Sequence, residues 1–192
     1  MYKIYDSLNE RKEKQTKSDQ RFVKTIAIIL MVISIIIAMN TYFFMRVVVD
    51  GYSMYPTMKT GDVLVASRFA TPKRGDIVVI DKGDKLVIKR VIAMELDVVE
   101  INDGIVKVNG RVLDEDYVVA GYSDPDDDYP ETHIPRGHVF YLGDNRANSL
   151  DSRSAGTCPV ENIIGVVTPI SMSMRDINNL FYNIGKVMRG EA

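Results

Sequence analysis

Apolar residues follow three different rhythms along this chain. From Thr25 to Met45 they form one block, TIAIILMVISIIIAMNTYFFM, 21 residues without a charge between Lys24 and Arg46. About 20 apolar residues suffice to cross a 30 Å hydrocarbon core, so residues 25–45 are expected to be a transmembrane helix after a tail, 1–24. A cleavable signal peptide would have a shorter apolar core, about 7–15 residues, and a small-x-small cleavage site after it. Neither is present, and an uncleaved anchor is expected.

Beyond Arg46 the rhythm shortens. Val47–Val49, Asp62–Ala66, Asp76–Ile80, Lys85–Ala93, Val98–Ile101, Gly104–Val108 and His138–Leu142 are short, rich in Val and Ile, and separated by Gly, Asp, Asn and Pro. Asp103-Gly104 and Asn109-Gly110 suit hairpin turns that need positive φ. Short strands without alternating helices predict a mainly β domain, an antiparallel sheet or barrel, over residues 46–192. Near the C-terminus Ile177, Leu180, Phe181, Ile184, Val187 and Met188 recur at helical spacing, predicting an amphipathic helix within 171–192. Its apolar stripe suits packing on the β domain or lying on a membrane surface.

Charge adds an orientation. Seven basic residues (Lys3, Arg11, Lys12, Lys14, Lys17, Arg21, Lys24) and four acidic ones (Asp6, Glu10, Glu13, Asp19) precede the apolar block, whereas 46–66 holds only Arg46 and Lys59 as bases. The positive-inside rule then places the N-terminus in the cytoplasm and the β domain on the outer face of the cell membrane, with lipid as a partner. A net charge of −2 gives no reason to expect a nucleic-acid partner. Cys158 is the single cysteine and cannot form an internal disulfide, so a thiol in the turn before Pro159 is expected.

Chemistry enters at Gly51-Tyr52-Ser53-Met54-Tyr55-Pro56-Thr57. Ser53 lies eight residues past Met45, within roughly 30 Å of the bilayer edge even if fully extended. A serine hydroxyl attacks well only when a base removes its proton. The histidines are His133, in a Pro-flanked loop, and His138, at a strand start; neither has a distinctive acidic partner in the sequence. Lys89 is the other option, on a strand face with Val87, Val91 and Ala93. Burial among such side chains lowers a lysine pKa from about 10.4 toward 7–8 by disfavouring the ammonium. Arg90 has equally apolar neighbours, so alternation alone does not choose. A third segment, Gly143-Asp144-Asn145-Arg146-Ala147-Asn148-Ser149-Leu150-Asp151-Ser152-Arg153, reads either as a surface loop with an ion pair or as support for a base. Asp124-Pro125-Asp126-Asp127-Asp128 fails as a calcium loop, having Tyr129 where Gly belongs and Pro135 at the twelfth position; a solvated acidic loop is expected.

Taken in order, SMYPT after an apolar anchor, KRVIA about 36 residues later and GDNRANSLDSR some 55 further resemble the type I signal peptidases. The resemblance extends to Ile163–Val167. It implies a serine endopeptidase with a Ser-Lys dyad and a largely β core that removes signal peptides from exported preproteins, without metal or cofactor. By position Ser53 matches the nucleophile and Lys89 the general base. Ser149 matches a serine that hydrogen-bonds the lysine, Asp151 and Arg153 a supporting ion pair, and Asp144 a structural acid whose partner is Arg90. Where some members carry an oxyanion-donating serine this chain has Gly51, leaving the Ser53 backbone N–H and a neighbouring amide such as that of Gly51. The glycine and the single anchor look like the Gram-positive branch. Self-cleaving Ser-Lys repressors fit the dyad but not the anchor. An inactive anchored scaffold fits all but the joint presence of Ser53, Lys89 and Ser149.

Overall fold

A computed structural model describes residues 2–168, with side chains from residue 19 onward; the helix expected within 171–192 lies outside the described residues. The chain divides into two compact units at Tyr42 and Phe43. The first is α1, Tyr2–Phe43, whose segment Asp19–Phe43 is long and apolar enough to cross a membrane. Three hydroxyls in that segment are satisfied by the helix's own backbone: Thr25 donates to Arg21 O, Ser34 to Leu30 O and Thr41 to Ile37 O. This local pairing is what a polar side chain needs where no water is available.

The apolar block does not stay helical to Met45. Phe44 and Met45 begin β1, Phe44–Val48, and pair with Ser67 and Ala66. Composition cannot separate these two residues from the helix; the ladder to the next strand does, by taking up their backbone groups.

The second unit is mainly β, with every strand pairing antiparallel and only short helical turns, among them Ser152–Ala155, between strands. Its strands are β2 Val63–Ser67, β3 Ile77–Asp81, β4 Leu86–Ala93, β5 Val98–Asn102, β6 Ile105–Val108, β7 Arg111–Val112, β8 Tyr129–His133, β9 His138–Leu142, β10 Cys158–Pro159 and β11 Ile163–Val167. Seven form one sheet in the order β1-β2-β11-β3-β4-β9-β10, and β7-β6-β5-β8 form another. At the two expected hairpins Asp103 and Gly104 have φ of 49° and 72°, and Asn109 and Gly110 have 53° and 73°, as a two-residue turn with positive φ demands.

Four strands escape the sequence pattern, for identifiable reasons. β8 contains Pro130, tolerated because β8 is an edge strand. His133 ends that strand opposite Val98 and is not in a loop. β11 contains Gly165, where an added Cβ would come within 3.0 Å of Ala66 Cβ and 3.1 Å of Met45 Sδ. β7 and β10 span only two residues each.

β9 is the spine of the packing. Val139 and Tyr141 join Val78, Ile80, Val91, Cys158 and Val166 in one core cluster, while Phe140 and Leu142 join Ile92, Ala93 and the small-sheet residues Val99, Ile101, Val106 and Val108 in another. Ala93 therefore does not share the face of Lys89, because the register shifts between Val91 and Ala93. Cys158 is buried in the first cluster. Val49, Met54, Met58 and Leu64 form a third cluster, which anchors the segment carrying Ser53.

Candidate active site

Ser53 sits in a loop whose neck is closed. Val49 N–H donates to Asp62 O, Gly61 N–H to Val49 O, and the Thr60 hydroxyl to Gly51 O. Met54 and Met58, 2% and 6% exposed, hold the loop to the core by burial. On its far side the loop is tied to the segment after β9, where Asn145 N–H donates to Ser53 O and Asn145 Nδ2 to Tyr52 O.

Lys89 rises from β4 and is 3% exposed. Its Nζ donates to Ser53 Oγ across 2.6 Å. Burial pulls its pKa down from 10.5 to about 8, against the attraction of the Asp151 and Asp144 charges and with help from Lys85 and Arg153. A lysine with a pKa near 8 is neutral often enough at neutral pH to accept a proton, and its partner here is a serine hydroxyl.

Strand register explains why Lys89, not Arg90, meets Ser53. Arg90 turns the other way and makes a two-pronged pair with Asp144, Nε to Oδ1 at 2.8 Å and Nη2 to Oδ2 at 2.7 Å. Its third donor reaches Gly75 O, and its guanidinium lies 3.8 Å over the Tyr117 ring. Burial and the neighbouring Glu115 push the Tyr117 pKa up, so its hydroxyl stays protonated and donates to Glu115 Oε1.

The segment 143–153 is a clamp. Asp151, fully buried, accepts Gly143 N–H on Oδ2 and both Nε and the backbone N–H of Arg153 on Oδ1. Arg153 also reaches Asp127 Oδ2 at 2.8 Å and Arg146 O at 2.7 Å. The hydrogen bonds to Asp151 and Asp127 hold the Arg153 pKa above its usual value against its burial. Arg146 closes the system onto Gly143 O and Glu115. Asp127 and Glu115 were missed from the sequence, because the first sits in an acidic run that suggests a solvated loop. It instead neutralises a buried guanidinium.

Two expectations about hydroxyl and amide donors change. Ser149 Oγ is buried but makes no hydrogen bond, to Lys89 or to any other described group; the amine is committed to Ser53. It lies against Gly143, where an added Cβ would overlap Ser149 Oγ and Ser53 O. Gly143 is thus required for close approach, a role the motif carried without a spacing signal. The Gly51 N–H is spent on Thr60 Oγ1 at 3.2 Å, which leaves, of the two amides expected to serve an oxyanion, the Ser53 N–H. At φ 109° Gly51 has a conformation that L side chains rarely adopt.

A cleft of about 630 Å³ opens in front of the pair. It is lined by β1 and its continuation, Val47–Gly51, by Leu86–Ile88 of β4, and by Tyr141 and Leu150 among others. His133 and His138 do not line it, and His138 Nδ1 lies 3.0 Å from Thr157 Oγ1.

A serine hydroxyl against a desolvated lysine, beside a mainly apolar cleft on a β scaffold, is the arrangement a serine hydrolase with an amine base would need. Comparison with known proteins agrees. The family model described as signal peptidase, peptidase S26, matches residues 20–172. A probable signal peptidase I-1 of Synechocystis sp. is 36% identical over 152 residues, 71% of this chain and 76% of that one. Signal peptidase I P of Bacillus subtilis subsp. natto is 32% identical over 169 residues, 81% and 90% of the two chains. A crystal structure of a signal peptidase I from Enterococcus faecalis V583 aligns over 52% of this chain and 98% of that one, at 30% identity and a TM-score of 0.46. The chain belongs to the S26 signal peptidase family and is a serine protease of the type I signal peptidase class.

Proposed function

We propose that this signal peptidase cuts preproteins with Ser53 as nucleophile and Lys89 as the single general base and acid. The observation that carries the proposal is the 2.6 Å contact between Ser53 Oγ and a buried lysine amine with a pKa near 8. When the amine is neutral, the Ser53 O–H donates to Nζ and the oxygen attacks the carbonyl after the last residue of the signal peptide. The tetrahedral oxyanion is met by the Ser53 N–H, and a positioned donor of this kind is worth about 3–4 kcal/mol. The ammonium then protonates the leaving amine as the scissile C–N bond breaks, and the neutral amine activates water to release the acyl group.

Supporting roles follow from the clamp. Asp151 and Arg153 fix the Gly143 segment against the nucleophile, and Asp144 keeps the Arg90 guanidinium turned away from Lys89. The buried hydroxyl of Ser149 has no other partner and is available to the ammonium formed after proton transfer. α1 serves as a membrane anchor with residues 1–24 in the cytoplasm, which brings Ser53 to the outer face where signal peptides emerge.

Purified enzyme in detergent should cleave a preprotein at the signal-peptide junction, and Ser53→Ala and Lys89→Ala should each abolish cleavage. Lys89→Arg should fail as well, since a guanidinium does not lose its proton in a protein. Retention of cleavage by Lys89→Ala together with loss in His138→Ala would refute the dyad. Protease added to intact cells should digest a tag placed after residue 168 but spare one at residue 1; the reverse pattern would overturn the orientation.

A further inference from the structure

The β3–β4 hairpin places two lysines at the rim of the cleft. Lys82 and Lys85 both line it together with Ser53 and Lys89. The hairpin is braced from within: Lys82 N–H donates to Lys85 O, and Asp81 Oδ1 accepts Gly83 N–H. The Lys82 amine lies 4.8 Å from the centre of the Tyr141 ring, which holds it over the cleft by cation–π attraction. Tyr141 lies on β9 opposite Val91, two residues along β4 from Lys89.

Among the described residues these cations have no counter-ion within ion-pair distance. Among the described residues every acid–base pair within ion-pair distance involves other groups: Arg74, Arg90, Lys107, Arg146 and Arg153 with their carboxylates. The acid that lines the cleft is Asp50, on the continuation of β1, and it stands in no ion pair either. Among the cleft-lining side chains the hairpin contributes the cations Lys82 and Lys85 and the β1 continuation the acid Asp50, whereas Asp81 and Asp84 of the same hairpin do not line the cleft. The rest of the lining is largely apolar, including Val47, Val48, Val49, Leu86 and Val87.

We propose that Lys82 and Lys85 are specificity-determining residues, which favour substrates carrying an acidic side chain at the position that passes the β3–β4 hairpin. A polypeptide extended along the cleft must present one or more side chains to that hairpin. A carboxylate there gains two unpaired cations, whereas a lysine or arginine is repelled. The proposal rests on the signal peptidase reading. It goes beyond it by assigning a charge preference to residues outside the catalytic pair.

The test is a set of short peptides spanning one cleavage site, in which each position from five before the scissile bond to four after it is in turn Glu, Gln or Lys. Wild-type enzyme in detergent at low ionic strength should show one position, or two adjacent ones on the same face, where kcat/KM falls in the order Glu, Gln, Lys. Exposed ion pairs contribute up to about 1 kcal/mol, so each lysine should account for roughly two- to fivefold between Glu and Gln. The preference should shrink in high salt. Lys82→Glu with Lys85→Glu should reverse the order at that position, while Lys73→Glu, an equal charge change per site on an exposed residue outside the cleft lining, should leave the order intact.

If the parent peptide is cleaved equally well with Glu and Lys at every position, or if the double charge reversal leaves the order unchanged, the hairpin does not select substrate. Failure of the wild-type enzyme to cleave the parent peptide or any preprotein would instead count against the peptidase function itself. The double variant must show wild-type thermal melting for its reversal to be read. If it does not, Lys82→Gln and Lys85→Gln singly should each reduce the Glu preference without reversing it, and a full preference in both would overturn the proposal.

Discussion

Lys89 bears a cost that its proposed role as base requires. With a folded pKa of about 8 against 10.5 for an ordinary lysine, its ammonium is disfavoured by roughly 3 kcal/mol, at about 1.4 kcal/mol per unit. Because the folded value is the lower one, the unfolded chain binds more protons between about pH 8 and 10.5, and the domain should gain stability as pH rises through that window. Activity should follow the same group. kcat/KM should rise about tenfold per pH unit below a midpoint near 8 and level off above it, measured on a peptide with no titrating group of its own. A midpoint near 10 would exclude a desolvated base. Lys89→Met should abolish turnover yet raise thermal stability at pH 7, by up to about 3 kcal/mol, because it removes a buried charge and keeps most of the volume. Two serines near the site should separate in the opposite manner. Ser149 Oγ has no partner, so Ser149→Ala should leave thermal stability almost unchanged, and a fall in kcat would then report function alone. Ser152 Oγ accepts the buried Tyr141 N–H, so Ser152→Ala should cost about 1–3 kcal/mol of stability.

At the scale of elements, the site is a meeting of three segments that share no ladder position. The Ser53 loop and the 143–153 clamp touch through backbone: Asn145 N–H donates to Ser53 O, and Gly143 packs where no Cβ fits. Gly143→Ala should therefore lose most activity, with a clear drop in melting temperature, whereas Gly51→Ala has open space and should cost about 1 kcal/mol from its positive φ. Arg153→Ala would leave Asp151 and Asp127 without their shared cation, and removing one member of a buried pair costs about 3–5 kcal/mol. Arg153→Lys should recover part of the stability and less of the activity, since an ammonium cannot serve Asp151, Asp127 and Arg146 O in a planar fork. Denaturant midpoints alongside kcat would check both. Equal activity in Arg153→Ala and wild type would show that the clamp does not position the nucleophile.

At the scale of the whole molecule, the β domain has its own ladders and its own core. Its strands pair among themselves, beginning with Phe44 against Ser67, and its clusters contain no residue of α1. A chain lacking residues 1–42 should therefore fold, give a β-type circular dichroism spectrum and cleave a soluble peptide, while its rate on membrane-inserted preprotein should fall. Loss of cooperative unfolding in that truncation would mean that the helix is part of the fold and more than an anchor.

The sequence alone determined the pieces whose signal is local. An uncharged run sets a helix long and apolar enough to span a membrane, period-2 patterns and Asp-Gly or Asn-Gly turns set most strands of a mainly β domain, and three ordered motifs singled out Ser53, Lys89, Ser149, Asp151, Arg153 and Asp144 as candidates. The end of the helix was not local. Phe44 and Met45 are as apolar as their predecessors, and only pairing with Ser67 and Ala66 makes them strand. Lys89 and Arg90 were likewise alike in sequence, since alternation offers each an apolar neighbourhood. Tertiary structure gave Arg90 the carboxylate of Asp144 and gave Lys89 a serine hydroxyl with no adjacent carboxylate in its shell of hydrogen bonds. That difference in partner, set by residues 36 and 54 positions away, leaves the arginine in an ion pair and the lysine against a neutral hydroxyl, where burial lowers its pKa. The same holds for Asp127, which an acidic run hides, and for the cationic rim of the cleft. Both depend on which segments the sheets bring together, and pairing across a sheet leaves no periodicity in the chain.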